Sequence, residues 1–459
     1  MPPSDSAALI VARFLKSNQY TESYQAFIDE AGLPQDAGNV AKGDLTLETL
    51  LDEKKTFDIS VQFEKLGTAD ATAGWRQLAP SAKHAVDNLP ASSNLLSTTV
   101  ETFSGSGDSS QAVLLASSAD RRLHILDAPS RTLRASIVGL QDSPILSCAV
   151  LKQRILLSTS MSGQLVASDL DGKVLDKRRD HSKYVVKVAV FHGNNVNLIA
   201  TAGWDSKIII YKPTTSSTFE FGDPIATITL PTKPEALLFL RHPDNAEPIL
   251  VVTRTDSNNM LYYTAEPEPR LLGKQNLAPH SNAWVAFTPS ALALCPTDDS
   301  LIAVGTNSVP HMKLLIVRLL IPPYFAQPMS AAPVAFRTGL LDDSPATETQ
   351  ASQARAALVV ADREDAAIQI HSTTMAPQTA YSTPAVAWRP DGSGVWVNGD
   401  DGVIRGIEAS TGKVVSTLRG HEEGSKVRCL WAGMVDEAEE WLVSGGFDQK
   451  LIVWKTNGT

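Results

Sequence analysis

The segment Leu442-Val-Ser-Gly-Gly-Phe-Asp-Gln-Lys-Leu-Ile-Val-Trp454 constrains the fold more than any other stretch of the chain. It reads as strand, tight turn, strand: two aliphatic runs flank a turn built from Gly, Asp and Gln, and Gly420-His421 stands upstream. Ser444 lies four residues before Asp448, and Asp448 six before Trp454. Thr201, Asp205 and Tyr211 keep both intervals, behind Asp180-His181. Six weaker strand pairs follow the same plan at residues 114–126, 156–168, 250–263, 301–317, 358–371 and 395–408. Their turn residues recur every 38 to 56 positions or so, close to the roughly 40–45 of four-stranded repeats. A unit of that size cannot bury both its faces alone. Radial packing of copies buries them and leaves only short edges.

These residues and intervals resemble the WD-repeat β-propeller family. The resemblance implies that His, Ser or Thr, Asp and an aromatic residue of a blade form a buried hydrogen-bonded set. That role falls to His181, Thr201, Asp205 and Tyr211, and to His421, Ser444, Asp448 and Trp454; it is structural. Eight strand pairs predict an all-β propeller of eight blades over 94–459, or seven if residues 319–372 form an elaborated loop system. Residues 342–352, polar and poor in apolar side chains, read as a surface loop. The chain stops five residues after Trp454, so a segment near 95–102 is expected to close the ring, as the resemblance implies.

The N-terminal stretch follows a helical period. Ile10, Phe14 and Leu15 share one face, and Tyr24, Phe27, Ile28 and Ala31 another. Ser17-Asn18-Gln19 interrupts the pattern, Thr21 offers a cap, and Gly32 followed by Pro34 ends it. Residues 5–37 resemble the LisH motif, with Leu9, Ile10, Phe14, Leu15, Tyr20, Ser23, Phe27, Glu30, Ala31 and Leu33 on the family pattern. Asn18 stands where that family has Gly, and Asn tolerates left-handed backbone. Two short helices cannot bury a core of their own. Together with the resemblance, this implies homodimerisation or docking through Leu9, Ile10, Phe14, Leu15, Tyr20, Tyr24, Phe27, Ile28 and Leu33. The alternative is a hairpin docked on its own propeller. Residues 38–67 read as a helical extension, although Phe57, Ile59, Val61 and Phe63 also alternate as a strand would. Residues 68–93, rich in Ala, Ser, Thr and Pro, read as a linker that Trp75 and Leu78 could anchor.

Composition narrows the function classes. The net charge of −10 argues against bulk binding to nucleic acid or anionic lipid, and half of it arises in residues 1–67 (eleven acidic, six basic). No apolar run is long enough to span a membrane. Three scattered cysteines and the absence of a leader pattern suggest a cytoplasmic or nuclear protein. No GxSxG, GxxxxGKS/T or HExxH motif occurs. The histidines lack metal-ligand spacing, and His181, His280 and His421 each precede a blade. The pairs Asp298-Asp299, Asp342-Asp343 and Asp400-Asp401 and the basic clusters Arg121-Arg122 and Lys177-Arg178-Arg179 read as solvated turns. No catalytic residue, cofactor or metal is expected.

The expectation is a non-enzymatic scaffold for other proteins. Proteins combining LisH and WD repeats include subunits of ubiquitin ligases and of nuclear regulatory complexes, and a dynein regulator. The Arg two residues past a Trp-Asp pair that marks one ligase receptor class is missing at Trp454-Lys-Thr, and no coiled coil of the dynein-regulator kind follows the LisH segment. A hydrolase or isomerase acting at the central channel is the rival from another class; it would need several polar residues converging there.

Overall fold

The computed structural model describes residues 7–40, 46–48, 51, 74–76, 78–104, 110–193, 196–214, 218–266, 268–281, 283–325, 350–435 and 439–456. The chain divides into two compact units, residues 1–71 and 72–459.

In the first unit, helices α1 (Ala7–Ser17) and α2 (Thr21–Ala31) form a hairpin. Ala12, Tyr24 and Ile28 are buried between them, with Leu15, Phe27, Leu33 and Ala37 packed alongside, and Ile10 of α1 is buried as well. The Tyr24 hydroxyl donates to the Gln35 carbonyl at 2.9 Å and accepts the Gly38 amide at 3.3 Å, which folds the following segment back over the pair. Gly32 closes α2 in left-handed geometry, φ 62°. Two turn assignments need correction. The left-handed residue between the helices is Gln19 (φ 61°), not Asn18. Asn18 instead donates its side-chain amide to the Phe14 carbonyl at 3.0 Å, the same acceptor that takes its backbone amide at 3.1 Å. Thr21 is the first helical residue rather than the cap, and Tyr20 holds the N-cap position without a side-chain bond. The expected helical extension at 38–67 lies almost wholly outside the described residues.

The second unit is a propeller of seven four-stranded antiparallel sheets. The first blade is β2–β5 (Leu95–Ser104, Ser110–Ser118, Arg122–Asp127, Leu133–Val138). The second is β6–β9 (Ile145–Leu151, Ile155–Ser160, Leu165–Ser168, Val174–Arg178), and the third β10–β13 (Val185–His192, Asn197–Gly203, Lys207–Tyr211, Ala226–Thr229). The fourth is β14–β17 (Pro234–Arg241, Pro248–Arg254, Asn259–Thr264, Leu271–Asn276). The fifth is β18–β21 (Pro289–Leu294, Leu301–Thr306, His311–Arg318, Ile368–Pro377), and the sixth β22–β25 (Val386–Trp388, Gly394–Val397, Val403–Glu408, Val414–Arg419). The seventh combines β26–β28 (Val427–Val435, Glu439–Gly446, Leu451–Lys455) with β1 (Ala82–Ala85).

Of the two counts that the sequence left open, seven holds and the favoured eight does not. The pair expected at 358–371 is not a hairpin: Gln350–Ala367 is a helix, α3, which runs directly into β21, the outer strand of the fifth blade. The surface loop expected at 342–352 lies outside the described residues up to 349. Ring closure is also corrected. Residues 95–102 belong to the innermost strand of the first blade, and the closing strand is β1, paired with β28 from Ala82↔Lys455 to Ala85↔Ile452. The stretch 68–93, expected as a linker, therefore supplies an outer strand.

The core lies between blades, as radial packing requires. Leu95 and Leu114 of the first blade pack with Trp441, Val443 and Val453 of the seventh, so the last interface closes like the others. Trp75 is a further wedge: it meets Trp396 edge-on at 5.0 Å and fills space that only glycine leaves. A Cβ on Gly394 or Gly406 would stand 2.4 Å from its ring atoms. Leu78, the other proposed anchor, is exposed.

Candidate functional site

Two constellations invite a functional reading: the buried polar sets inside the blades, and the channel with the face onto which it opens.

In the seventh blade, His421 Nδ1 donates to Asp448 at 2.9 Å, and Nε2 accepts from the Ser444 hydroxyl at 2.9 Å. Trp454 Nε1 donates to the same hydroxyl oxygen at 2.9 Å. The carboxylate fixes the tautomer, since it can only accept. Asp448 also takes the Glu422 amide at 3.0 Å and the Lys450 amide at 3.3 Å. Burial works to raise the Asp448 pKa, but the bonds from His421 and these amides outweigh it and hold the carboxyl below its usual range.

The third blade repeats the arrangement with one change. His181 bridges Asp205 and Thr201, each at 2.9 Å. Tyr211 donates its hydroxyl to Asp180 at 2.9 Å, and Arg178 holds the same carboxylate at 2.9 Å. Burial pushes His181 below the ordinary histidine range despite Asp205, which keeps the imidazole neutral.

Other blades improvise the same buried set from residues that the sequence reading passed over. In the first, Ser118 contacts Asp120 at 2.5 Å and His124 Nε2 at 3.1 Å. In the second, Gln141 stands in for histidine: its amide donates to the Ser158 carbonyl at 2.9 Å and its Oε1 accepts from Ser160 at 2.9 Å. His280 has no such place. Its side chain is half exposed, 3.6 Å from the Asp362 carboxylate.

Ser444, His421 and Asp448 have the spacing of a hydrolase triad. Burial decides against that use. Ser444 is wholly inaccessible, as are the side chains of His421 and Asp448, and a nucleophile must reach its substrate. Several members of the acidic and basic pairs from the sequence are partnered: Asp400 with Lys426 at 2.9 Å, Asp401 with Arg405 at 2.6 Å, and Arg122 with Asp120 at 2.9 Å. No group of three or more metal-ligating side chains occurs among the described residues. No helix among them is long and apolar enough to cross a membrane. A buried ion pair that the sequence reading missed joins blades six and seven: Arg389 meets Glu440 through two bonds of 2.9 and 2.7 Å beneath the Trp75 ring.

The inner strands of all seven blades, or the segments leading into them, surround a channel of about 580 Å³. In a four-stranded meander, the loop entering the inner strand and the turn between the second and third strands lie at the same end. That end is the entry face. Among the described residues, five of the six exposed aromatic side chains of the propeller stand there: Tyr184, Trp204, Trp284, Tyr381 and Phe447, against Phe325 at the other end. Trp284 and Tyr381 are 95% and 90% exposed. Tyr184 stacks on Trp204 at 5.2 Å, and the Lys233 ammonium caps Trp204 at 4.8 Å, so these rings are held in place. Trp204 and Tyr381 also line the mouth of the channel.

In the first unit, the proposed interface residues divide. Tyr24 and Ile28 are used by the hairpin's own core, and Ile10 is buried; Leu9, Phe14, Leu15, Phe27 and Leu33 are half-buried; Tyr20 is exposed. Val11, absent from the sequence-based set, is exposed on the same helix.

Two family models match the chain. One, described as UCP007778, beta-propeller domain, covers residues 75–455. The other, UCP007778, LisH domain, covers residues 6–37. No curated protein matches it.

Proposed function

We propose that this chain, which belongs to the UCP007778 family of β-propeller proteins with an N-terminal LisH domain, is a non-enzymatic scaffold that binds protein partners on the entry face of its propeller. LisH and propeller domains both serve protein interaction. The observation that carries the choice of face is the concentration of exposed aromatic residues there. Tyr and Trp offer large contact areas with few rotatable bonds and are enriched where proteins bind. A ring of them around one mouth is more than scattered surface apolarity.

The LisH hairpin adds self-association through the half-buried apolar residues of its two helices. Two propellers joined in this way would engage a divalent partner at raised effective concentration. The wider setting we assign is a multi-subunit assembly of the cytoplasm or nucleus, such as a ubiquitin ligase or a nuclear regulatory complex.

Lysine-directed cross-linking of complexes isolated with the intact chain tests the choice of face. Lys183, Lys233 and Lys426 lie in loops entering inner strands; Lys173 and Lys413 lie in turns at the opposite end. Partner cross-links at the first three are expected. Cross-links confined to Lys173 and Lys413 would contradict the reading.

A further inference from the structure

Six of the seven inner strands carry a bulge near the channel mouth, all but β22, and most side chains there are small or apolar: Leu96, Leu146, Val186 and Ser290 at the bulge positions of four blades. Two side chains break this pattern with positive charge. Lys187 projects from β10 in the third blade and Arg428 from β26 in the seventh, and both line the channel. Three blades apart in a ring of seven, they approach from opposite walls. Desolvation within the channel lowers the Lys187 pKa, and repulsion by the Arg428 guanidinium lowers it further. Among the described residues, neither side chain makes a hydrogen bond or ion pair.

Two carboxylates stand nearby. Glu235, at the bulge of β14, lines the same channel, and burial raises its pKa against the opposing pull of Ser290 and Lys233. Glu101 takes the Thr99 hydroxyl at 2.9 Å, further down the first inner strand. Among the described residues, both cations thus line one channel without a partner of their own, Lys187 exposed to its space and Arg428 half-buried, beside Glu235, a carboxylate of the same lining. Unpaired positive charges converging on one crevice favour an anionic guest that answers both.

We propose that the channel of this propeller is a binding site for a small, multiply charged oxyanion of the phosphate class, held between Lys187 and Arg428. Arg supplies a planar fork matched to two oxygens of such a group, and Lys a point charge on the far side. Ser147, whose oxygen accepts the Val188 amide at 3.3 Å, keeps its hydroxyl proton for such a group. The mouth between Trp204 and Tyr381 gives entry from solvent. This inference does not depend on the docking role of the entry face.

The probe is inorganic pyrophosphate, titrated calorimetrically into the intact chain at fixed ionic strength, beside Lys187→Met, Arg428→Met and the control Lys413→Met on an exposed turn. The intact chain and the control should bind equally. Each channel variant should lose affinity by about tenfold or more, as expected for one charge-assisted contact. No binding by the intact chain, or equal binding by all four proteins, would overturn the proposal. Thermal denaturation without the anion provides an independent reading. Lys187→Met should be at least as stable as the parent, because it removes one of two repelling charges. A clear loss of stability would show that the ammonium already has a compensating partner, and would also overturn the proposal.

Discussion

Ser444 and His421 stand 2.9 Å apart, hydroxyl to Nε2, in the relationship of a hydrolase nucleophile to its base, and neither has an open face. The Trp454 indole presses its N–H onto the same hydroxyl and Asp448 seals the other side of the ring, so the set joins strands rather than serving a substrate. Replacing Asp448 with Ala would leave the imidazole N–H and two backbone amides without an acceptor inside the blade. The expected cost is about 3 kcal/mol or more, seen as a fall in the urea midpoint. An unchanged midpoint would remove the structural role.

The Arg389–Glu440 pair yields a sharper contrast. Glu440→Ala would remove the two-bond partner of a buried guanidinium beneath Trp75 and leave it only Asp391, at 3.7 Å, as a counter-charge, at an expected cost of about 3 kcal/mol. The double change Arg389→Met with Glu440→Leu should recover most of that loss, since apolar residues of similar volume fill the space without desolvating a charge. Denaturant titration of both proteins reads the difference. Equal destabilisation would mean that the charge pair itself carries the stability.

Closure depends on four residues outside the repeat. A version beginning at residue 72 keeps β1 and should remain monodisperse in its propeller. One beginning at residue 87 loses β1, leaves β28 as an unpaired edge, and should aggregate or unfold at lower temperature. Size-exclusion chromatography with a thermal scan compares them, and identical behaviour would contradict β1 as the closing strand.

Acid should weaken the fold in two stages. Burial lowers His124 and His181, so each favours the folded state most above the free histidine value of about 6.5 and loses that contribution as pH falls below it. Asp205 and Asp448 are held low by their hydrogen bonds, against burial. Their contribution is present above about pH 3.9 and fades as pH drops through it towards their folded values. Burial raises Glu101 and Glu235, which acts in the opposite sense and blunts the slope above about pH 4.3. Unfolding free energies at pH 7.5, 6, 5 and 4 should therefore decline, and His181→Gln should flatten the upper part of the curve.

What the sequence disclosed follows from where each blade is constrained. The second and third strands were legible in all seven blades because both faces are buried and the turn between them demands Asp, Ser or Gly, as at Asp205 and Asp448. The false pair at 358–371 arose from Leu358-Val-Val, a β-branched run that sits on an exposed helix. Propensity reads such a run as strand, and the tertiary setting overrides it. Strand β1 was hidden because Ala82-Lys-His-Ala contributes backbone edges rather than an apolar face. The channel cations did leave a signal. A single Lys inside Val185-Val-Lys-Val-Ala-Val and a single Arg inside Val427-Arg-Cys-Leu-Trp contradict an otherwise buried strand. The aromatic face left none, because turn residues distant in sequence meet only in the folded ring.

Light scattering bears on the LisH hairpin. The intact chain should have about twice the single-chain mass and a version lacking residues 1–40 the single-chain mass; Val11→Asp should act like the deletion, since it places a charge on an exposed apolar position of α1. A single-chain mass for the intact protein would remove the homodimer from the account.

The central claim is that the entry face binds protein. The most direct measurement is quantitative affinity purification from the native cell, with the intact chain beside a Trp204→Ala, Tyr381→Ala double variant of matched thermal stability. The account predicts that a defined set of proteins accompanies the intact chain and that at least one member disappears with the double variant. Recovery of the same set at the same yield by both proteins would contradict it.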